Sequence, residues 1–497
     1  VWKEATGLRQ YINEQDLLIG HNIIGFDLPV LSRLWNLNTA SNPLRDTLIM
    51  SRLLNPVLEK GHSLDSWGVR LGLKKGDFND FGGGLSEDMV AYCIQDVEIS
   101  HSLFTHLDAS LLDWGKSVDL EHQVAIVVKK QEQNGFKLDV PKCMVMLADW
   151  QQSLMDIEEE LQQVFQPITT QRFSDKTGKQ LKDKVEVFNP GSRKQGSVIV
   201  DEKVLQTVRI PQAKPILRYL LLQKRVAQVK SWVENVSESG RVHCQVRTNG
   251  AITGRMTHSK PNLAQVPRVG SEYGEECRSV WIVDEGNVLL GADASGLELR
   301  MLASYMDDPS YTREILEGDI HTANMKAAGL TDRDQAKTFI YAFLYGAGPA
   351  KIGAIVGGRE REGRRLIDSF LKNTPALQKL RDKVSRLAEK GWLPGLDGRR
   401  LIVRSQHAAL NTLLQGAGAI IMKQALIILN RKLIHANMDA RFVANVHDEW
   451  QIETTEQDAE TVGHFAVQSI RQAGIRLKLR CPLDGEFKVG LNWAATH

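Results

Sequence analysis

Residues 287–305 read NVLLGADASGLELRMLASY, and the reading of this stretch decides the fold of the whole chain. Val288, Leu289, Leu290 and Ala292 make a short apolar run suited to a buried strand. The run ends on a carboxylate, Asp293. A turn of small residues follows (Ala294, Ser295, Gly296), and Leu297, Leu299, Leu302 and Ala303 then begin a helical pattern. An acid at the end of a buried strand is held rigidly at a surface, where metal ligands and catalytic groups sit. Alone, it reads equally well as an ordinary strand-end aspartate.

Working outward, residues 442–453 read FVANVHDEWQIE, two short β-type runs around His447, Asp448 and Glu449. The pattern predicts a hairpin with an acidic tight turn. Adjacent carboxylates repel, so Asp448-Glu449 suits a site where a cation compensates. Paired acids from two strands are what a two-Mg²⁺ site needs, with hard oxygen ligands and two ions about 3.5–4 Å apart around an in-line phosphoryl displacement. Between the acids lies RDQAKTFIYAFLYGAG, residues 333–348. Arg333, Lys337, Tyr341 and Tyr345 fall every fourth residue, so on a helix each lies roughly 40° round from the last. The stripe runs from two cations to two aromatics and stops at Gly346 and Gly348. A nucleoside triphosphate has the same layout, phosphates at one end and sugar and base at the other. The bland alternative is an amphipathic helix with a solvated basic turn.

These residues carry a resemblance. DASGLELR, RDQAKTFIYAFLYGAG and VHDE resemble the three polymerase motifs of family A (polymerase I-like) DNA polymerases. GLELR, TGRMTHSKPNLAQVP, HAALNTLLQGAGA and the terminal GLNWAATH look most like the replicative branch of bacteriophage T-seven type. The resemblance implies an α+β right-hand polymerase: a palm with an antiparallel sheet, helical fingers and thumb. An N-terminal, apparently incomplete α/β RNase H-like 3′–5′ exonuclease domain precedes them. The expected divisions are 1–115 for the exonuclease-like domain, 116–240 for palm entry and thumb, 241–304 for palm, 305–410 for fingers and 411–497 for palm again.

By the same resemblance the reaction is template-directed addition of dNTPs to a primer 3′ end. Asp293 and Asp448 bridge two Mg²⁺ ions (Mn²⁺ as substitute), the Ala294 carbonyl completes a shell, and Glu449 sits nearer the edge. His321, Arg333 and Lys337 meet the triphosphate, Lys337 as a proton donor to the leaving group. Glu298, packed against Tyr341, resembles a steric gate against the ribose 2′-OH. A tyrosine at 341 goes with ready acceptance of dideoxynucleotides. Tyr345 stacks near the templating base. Arg255, Gln265, Asn411, Gln415 and His447 contact primer-template, Arg255 through the minor-groove acceptors that correct pairs share. Structural roles compete for Arg255 and for Gln415, the latter as a buried amide on an apolar helix.

Composition sets bounds but does not choose. The 497 residues suffice for several domains, and 25% charged and 42% hydrophobic residues are ordinary for a globular protein. A net charge of +2 requires any nucleic-acid surface to be a local patch. Five cysteines, Cys93, Cys143, Cys244, Cys277 and Cys481, show no CxxC pairing. That disfavours zinc and a disulfide framework and fits a reducing, cytoplasmic setting. No secretion signal or membrane-length apolar run is evident, so no membrane partner is expected. The first residue is Val1, not Met, which leaves the true start open.

The N-terminal region carries Asn22 to Asp27, similar to the second exonuclease motif of the family, and Tyr92 to Asp96, similar to its third. On a helix Tyr92 and Asp96 share a face, so the tyrosine could orient water beside a metal-bound aspartate. The first motif, an Asp-x-Glu, is not found before Asn22, and the expectation is little or no proofreading by the chain as written. The Lys-rich stretch with Lys176, Lys179, Lys182 and Lys184, and the helical pattern with Lys224, Arg225 and Lys230, fit a thumb that grips duplex phosphates. TGKQLKD and VEVFNPGSR almost abut where the branch carries its thioredoxin-binding insertion, so no thioredoxin partner is expected. A phage helicase or single-stranded DNA-binding protein fits as a further partner. The stretch near Gln195 looks clipped relative to the family. Asn249-Gly250 is a hairpin signal between β-type runs. Two rivals remain: a single-subunit RNA polymerase, against which Glu298 argues, and a non-catalytic nucleic-acid-binding remnant.

Overall fold

The protein is described by a computed structural model over residues 5–37, 43–73, 76, 78–80, 82, 84–192, 194–195, 198–199, 202–206, 208 and 210–497. The expectation of a clipped segment near Gln195 falls largely outside these described residues. At the centre is a four-stranded antiparallel sheet. In spatial order its strands are Ala440–Val446, Glu449–Thr455, Asn287–Ala294 and Gly485–Gly490. The opening stretch folds as read: strand Asn287–Ala294, a turn at Ser295-Gly296, then helix Leu297–Met306. Leu289, Leu290 and Ala292 are fully buried, which is why the run is apolar without strict alternation. Gly291 sits mid-strand because the carbonyl of Thr496 crosses there; a Cβ would lie 2.3 Å from that oxygen. The C-terminal segment therefore lies across the central strand.

Helix Glu456–Arg476 packs on this sheet, and helix Ala409–His435 packs on that helix. The segment 406–435 is long and apolar enough to cross a membrane, yet 83% of its apolar window is buried inside the protein, so it is a core helix. One continuous core joins it to helices Leu297–Met306, Arg333–Leu344, Glu360–Asn373 and Glu456–Arg476. A second core gathers helices Val140–Val164 and Ala213–Glu234 around Phe136, Trp232, Trp281 and Trp493, whose rings lie 5.3–5.9 Å apart. The N-terminal region keeps a small core of its own, including Met50, Trp67, Leu103 and Trp114. It carries two parallel strands, Leu18–Gly20 and Leu44–Asp46.

The Lys-rich stretch lies on an antiparallel ribbon, Ile168–Phe173 paired with Gln180–Glu186 and exposed on both faces. With no face to bury, the sequence shows no period-2 pattern there. Asn249-Gly250 is not a two-residue turn. The pairing strands are Gln245–Arg247 and Thr257–Ser259, joined through residues 248–256. Asn249 turns inward instead, donating from Nδ2 to the Ile49 carbonyl at 3.3 Å.

Candidate active site

Strand pairing brings the two acids together. Asp293 stands opposite Glu449, and the Ala294 N–H donates to the Asp448 carbonyl at 3.2 Å. Val446 pairs with Glu449, so His447 and Asp448 form a two-residue hairpin turn, as the sequence pattern predicts. His447 adopts φ 58, a left-handed conformation unusual for a residue with a side chain and typical of functional turns. On its other side Asp293 stands opposite Glu486 of the last strand. Opposed residues on neighbouring strands project to one face, so three acids share a rung and Asp448 adjoins them.

The electrostatics follow. Burial, then Asp448, Glu449 and Glu486, push the Asp293 carboxyl up to about 8, with the Ala294 amide acting the other way. Burial and then Glu298 push Asp448 up to about 6. Acids this crowded hold their charge only beside a cation, which is the donor chemistry a divalent ion requires. Among the described residues no group of three or more His, Cys, Asp and Glu side chains forms a ready cage.

Glu449 is buried, and its carboxylate has partners of its own. Its Oε1 accepts from Trp493 Nε1 at 2.6 Å and from Gln451 Nε2 at 2.5 Å. Its Oε2 lies 3.1 Å from His497 Nδ1 and 3.5 Å from the buried Arg278. Despite burial, these donors hold its carboxyl below the ordinary range. Arg278 also stacks over Trp493 at 4.6 Å. Sequence reasoning missed Arg278 and Glu486 and quoted the terminal Trp493 and His497 without a role. A buried aromatic and a histidine at the end of a polar segment were the available signal.

Helix Arg333–Leu344 carries the stripe, capped by the Asp332 side chain on the Gln335 amide. Its basic end is solvent-exposed. Arg333 is forked onto Asp319 at 2.7 and 3.1 Å, while Lys337 is exposed with no ion-pair partner among the described residues. His321, on helix Ile320–Ala328, faces Tyr341 with ring centroids 6.3 Å apart. Its Nδ1 is buried without a partner, and burial with Arg333 and Lys337 nearby lowers its pKa. The aromatic end points toward the acids: burial first, then Glu298 and Asp448, raise the Tyr341 pKa.

Glu298 is gripped more firmly than the sequence indicated. Its Oε1 accepts from the Tyr345 hydroxyl at 2.9 Å and from Arg255 Nη2 at 3.2 Å. Tyr345, expected near a template base, thus has its hydroxyl on Glu298, with 46% of its surface exposed. Asn411 and Gln415, one turn apart on the core helix, are half-buried and bonded to no described side chain, so Gln415 is not a buried structural amide. Gln265 is exposed; its backbone is engaged, the N–H donating to the Asn262 carbonyl at 3.3 Å and the carbonyl accepting from Gln228 Nε2 at 2.8 Å.

The N-terminal residues gather differently. Asp27 opens helix Asp27–Trp35, and burial, then Asp46, raise its pKa. Asp46, which sequence reasoning passed over, is buried and accepts the amides of Asn22, Ile24 and Leu48 at 2.9–3.2 Å. Asn22 takes φ 65 to present its amide there. Tyr92 and Asp96 lie one turn apart on helix Glu87–Ser110, as their spacing requires.

A twisted antiparallel sheet with clustered acids at one end, facing a helix that presents cations and then aromatics, defines a template-directed nucleotidyltransferase of right-hand form. The chain belongs to the family A DNA polymerases: residues 142–495 match the family described as DNA polymerase family A. It is 34% identical to the DNA-directed DNA polymerase of Enterobacteria phage T3 over 659 aligned positions, covering 99% of this chain and 94% of that protein. The Escherichia phage T7 enzyme is also 34% identical, over 97% of this chain and 92% of its own length. DNA polymerase I of Aquifex aeolicus is 29% identical over 99% of the chain. The alignment with the phage T3 enzyme is longer than this chain, so that relative has stretches absent here. Among solved structures, the polymerase domain of Pol1 from M. smegmatis, in complex with DNA primer-template and dNTP, superposes with a TM-score of 0.79 at 21% identity. It covers 99% of this chain and 88% of that one. The protein is a DNA-directed DNA polymerase of the phage replicative type, and enzymes of this family use divalent metal ions.

Proposed function

We propose that Asp293 and Asp448, with the Ala294 carbonyl, hold two Mg²⁺ ions under an incoming dNTP. The carrying observation is the shared rung: Asp293 opposite Glu449, Ala294 bonded to Asp448, and both carboxyls pushed upward by burial and then by the neighbouring acids. When bound, the ions supply charge to lower the pKa of a primer 3′-hydroxyl and to neutralise pyrophosphate. The protein's own groups position. Lys337 and Arg333 meet the phosphates, and Lys337 Nζ can pass a proton to the leaving oxygen. His321, largely neutral, donates a hydrogen bond and no charge. Glu298, pinned by Tyr345 and Arg255, fills the space that a ribose 2′-OH would occupy, with Tyr341 completing the wall.

Arg255, Gln265, Asn411, Gln415 and His447 face primer-template, leaving the grip on phosphates to the cations of residues 116–240. The palm, fingers and thumb divisions at 240, 304 and 410 belong to the same reading, as do primer-template DNA and dNTPs as partners in a bacterial cytoplasm. Hydrolysis of a 3′ end is not part of it, because Asp27 and Asp96 alone leave a metal site short of oxygen ligands. Primer extension is the test. Asp293→Ala and Asp448→Ala are each expected to lower turnover by roughly 10³-fold or more with melting unchanged. Turnover within tenfold of the parent in either variant defeats the assignment.

A further inference from the structure

A groove of about 700 Å³ runs between the last two turns of helix Ala409–His435 and the second half of helix Glu456–Arg476. None of the residues placed at the dNTP, the metal ions or primer-template lines it, and neither does any acid. Its floor is apolar: Ile428 belongs to the main core and Phe465 packs against it. Ile475, at the rim, is 76% exposed.

Three cations, Arg431, Lys432 and Arg476, surround this floor, and none forms an ion pair among the described residues. Arg431 and Lys432 instead hold neutral amide oxygens, Gln123 Oε1 at 2.7 Å and Gln468 Oε1 at 2.9 Å. A neutral acceptor leaves the charge uncompensated, and burial pushes the Lys432 pKa down. Cations in the last turn of a helix also serve its dipole, which is the plain account of Lys432 and Arg476. That account requires neither Arg431 nor a groove, and it leaves Ile475 in water with nothing to cover it.

We propose that this groove docks an acidic segment of a partner protein, with carboxylates on Arg431, Lys432 and Arg476 and a large apolar side chain against Ile428, Phe465 and Ile475. Charge complementarity selects the partner, because a groove with three uncompensated cations and no acid repels basic segments. The apolar floor supplies the anchor pocket that holds the segment in place. Nucleic acid fits less well: strands bind by stacking bases on open aromatic faces, and the Phe465 ring is covered by Lys432 Nζ at 5.5 Å. The docking site is independent of the roles given to Asp293 and Asp448.

The full chain is titrated by anisotropy against a fluorescein-labelled peptide of Asp, Glu and Leu. A Kd of about 100 μM or tighter at low salt is expected, weakening as salt rises. The double variant Arg431→Gln/Arg476→Gln should bind about tenfold more weakly, and Ile475→Ser about three- to fivefold. Against a second peptide with Ser in place of Leu, Ile475→Ser should cost nothing further. Primer-extension turnover and the melting temperature should match the parent in all variants. A Kd above about 1 mM for the parent, or full affinity in both variants, overturns the proposal. A loss of oligothymidylate affinity in the double variant overturns it in favour of nucleic acid. A concentration-dependent dimer of the parent that Ile475→Ser dissolves overturns it in favour of a second copy of this chain. Should the double variant melt early, Ile475→Ser decides alone, since its exposed side chain supports no core; unchanged affinity there overturns the anchor.

Discussion

Glu449 shows how a single side chain acquires a role that its neighbours in sequence do not suggest. It adjoins Asp448, yet its oxygens are bound by Trp493, His497 and Gln451, with Arg278 3.5 Å away. Its work is to hold the C-terminal segment across the acid-bearing sheet. Glu449→Gln keeps the shape but leaves the buried Arg278 charge uncompensated, so chemical denaturation should show a loss of about 3 kcal/mol. Turnover should fall by at most about tenfold, far less than for Asp293→Ala; equal losses would return Glu449 to the reacting centre. His258 gives a pH signature at the same scale. Burial, then the His447 charge, lower its pKa from 6.5 to about 4, and its Nδ1 lacks a partner. The folded state therefore binds fewer protons than the unfolded state between those values. Its contribution is complete above pH 6.5 and is lost as pH falls toward 4, at up to about 1.4 kcal/mol per pH unit. His258→Gln should flatten unfolding free energy against pH over that window; an unaltered slope would show that His258 is not titrating there.

At the scale of elements, the stripe helix and its neighbour regulate each other. Asp319 caps helix Ile320–Ala328 through the His321 amide and also holds Arg333. On the role proposed for Arg333, a triphosphate must compete with that fork. The pair is exposed, so solvent screens it and the competition is weak. Asp319→Asn keeps a capping oxygen and releases the guanidinium, and should lower the KM for dNTP by roughly two- to fivefold at constant kcat; a raised KM would mean that Asp319 positions Arg333 for substrate. The Arg333, Lys337, Tyr341 and Tyr345 spacing was legible because it obeys one helical period, and so were strand Asn287–Ala294 with its closing acid and the acidic hairpin turn. Each is a local pattern of a few residues. The Asp319–Arg333 fork, the Glu298–Tyr345 bond and the Arg278–Glu449–His497 cluster join positions far apart in sequence, and no periodicity encodes them. Asn249-Gly250 misled for a related reason: a turn dipeptide was diverted by a long-range bond to Ile49.

Across the whole molecule, one buried cluster ties three regions to the site. Glu121, on helix Gly115–Asn134, is fully buried and accepts Arg399 Nη1 at 2.6 Å and Lys423 Nζ at 2.5 Å. Arg399 also forks onto Asp397, so the four charges balance. Lys423 donates further to the Gly254 carbonyl at 2.7 Å, and Gly254 precedes Arg255, which grips Glu298. The route runs from the helix entering the thumb, through the core helix, to the residue read as the sugar gate. Glu121→Gln removes the central negative charge and leaves Lys423 and Arg399 sharing Asp397 alone, a net positive charge in the core. The expected loss is about 3–5 kcal/mol by chemical denaturation. Although burial opposes it, the pull of Lys423 and Arg399 holds the Glu121 carboxyl below the ordinary range. Its contribution is therefore full above the unfolded value near 4.5 and vanishes as pH falls through the folded one. The gap between parent and variant should stay constant from about pH 6 to 8 and narrow below about pH 4. A purely structural role would end there. If Lys423 also positions Arg255 through Gly254, a loosened Glu298 should raise ribonucleotide incorporation relative to deoxynucleotide by severalfold in Glu121→Gln. Lys423→Met should give the same rise, and an unchanged ratio in both variants would confine the cluster to stability.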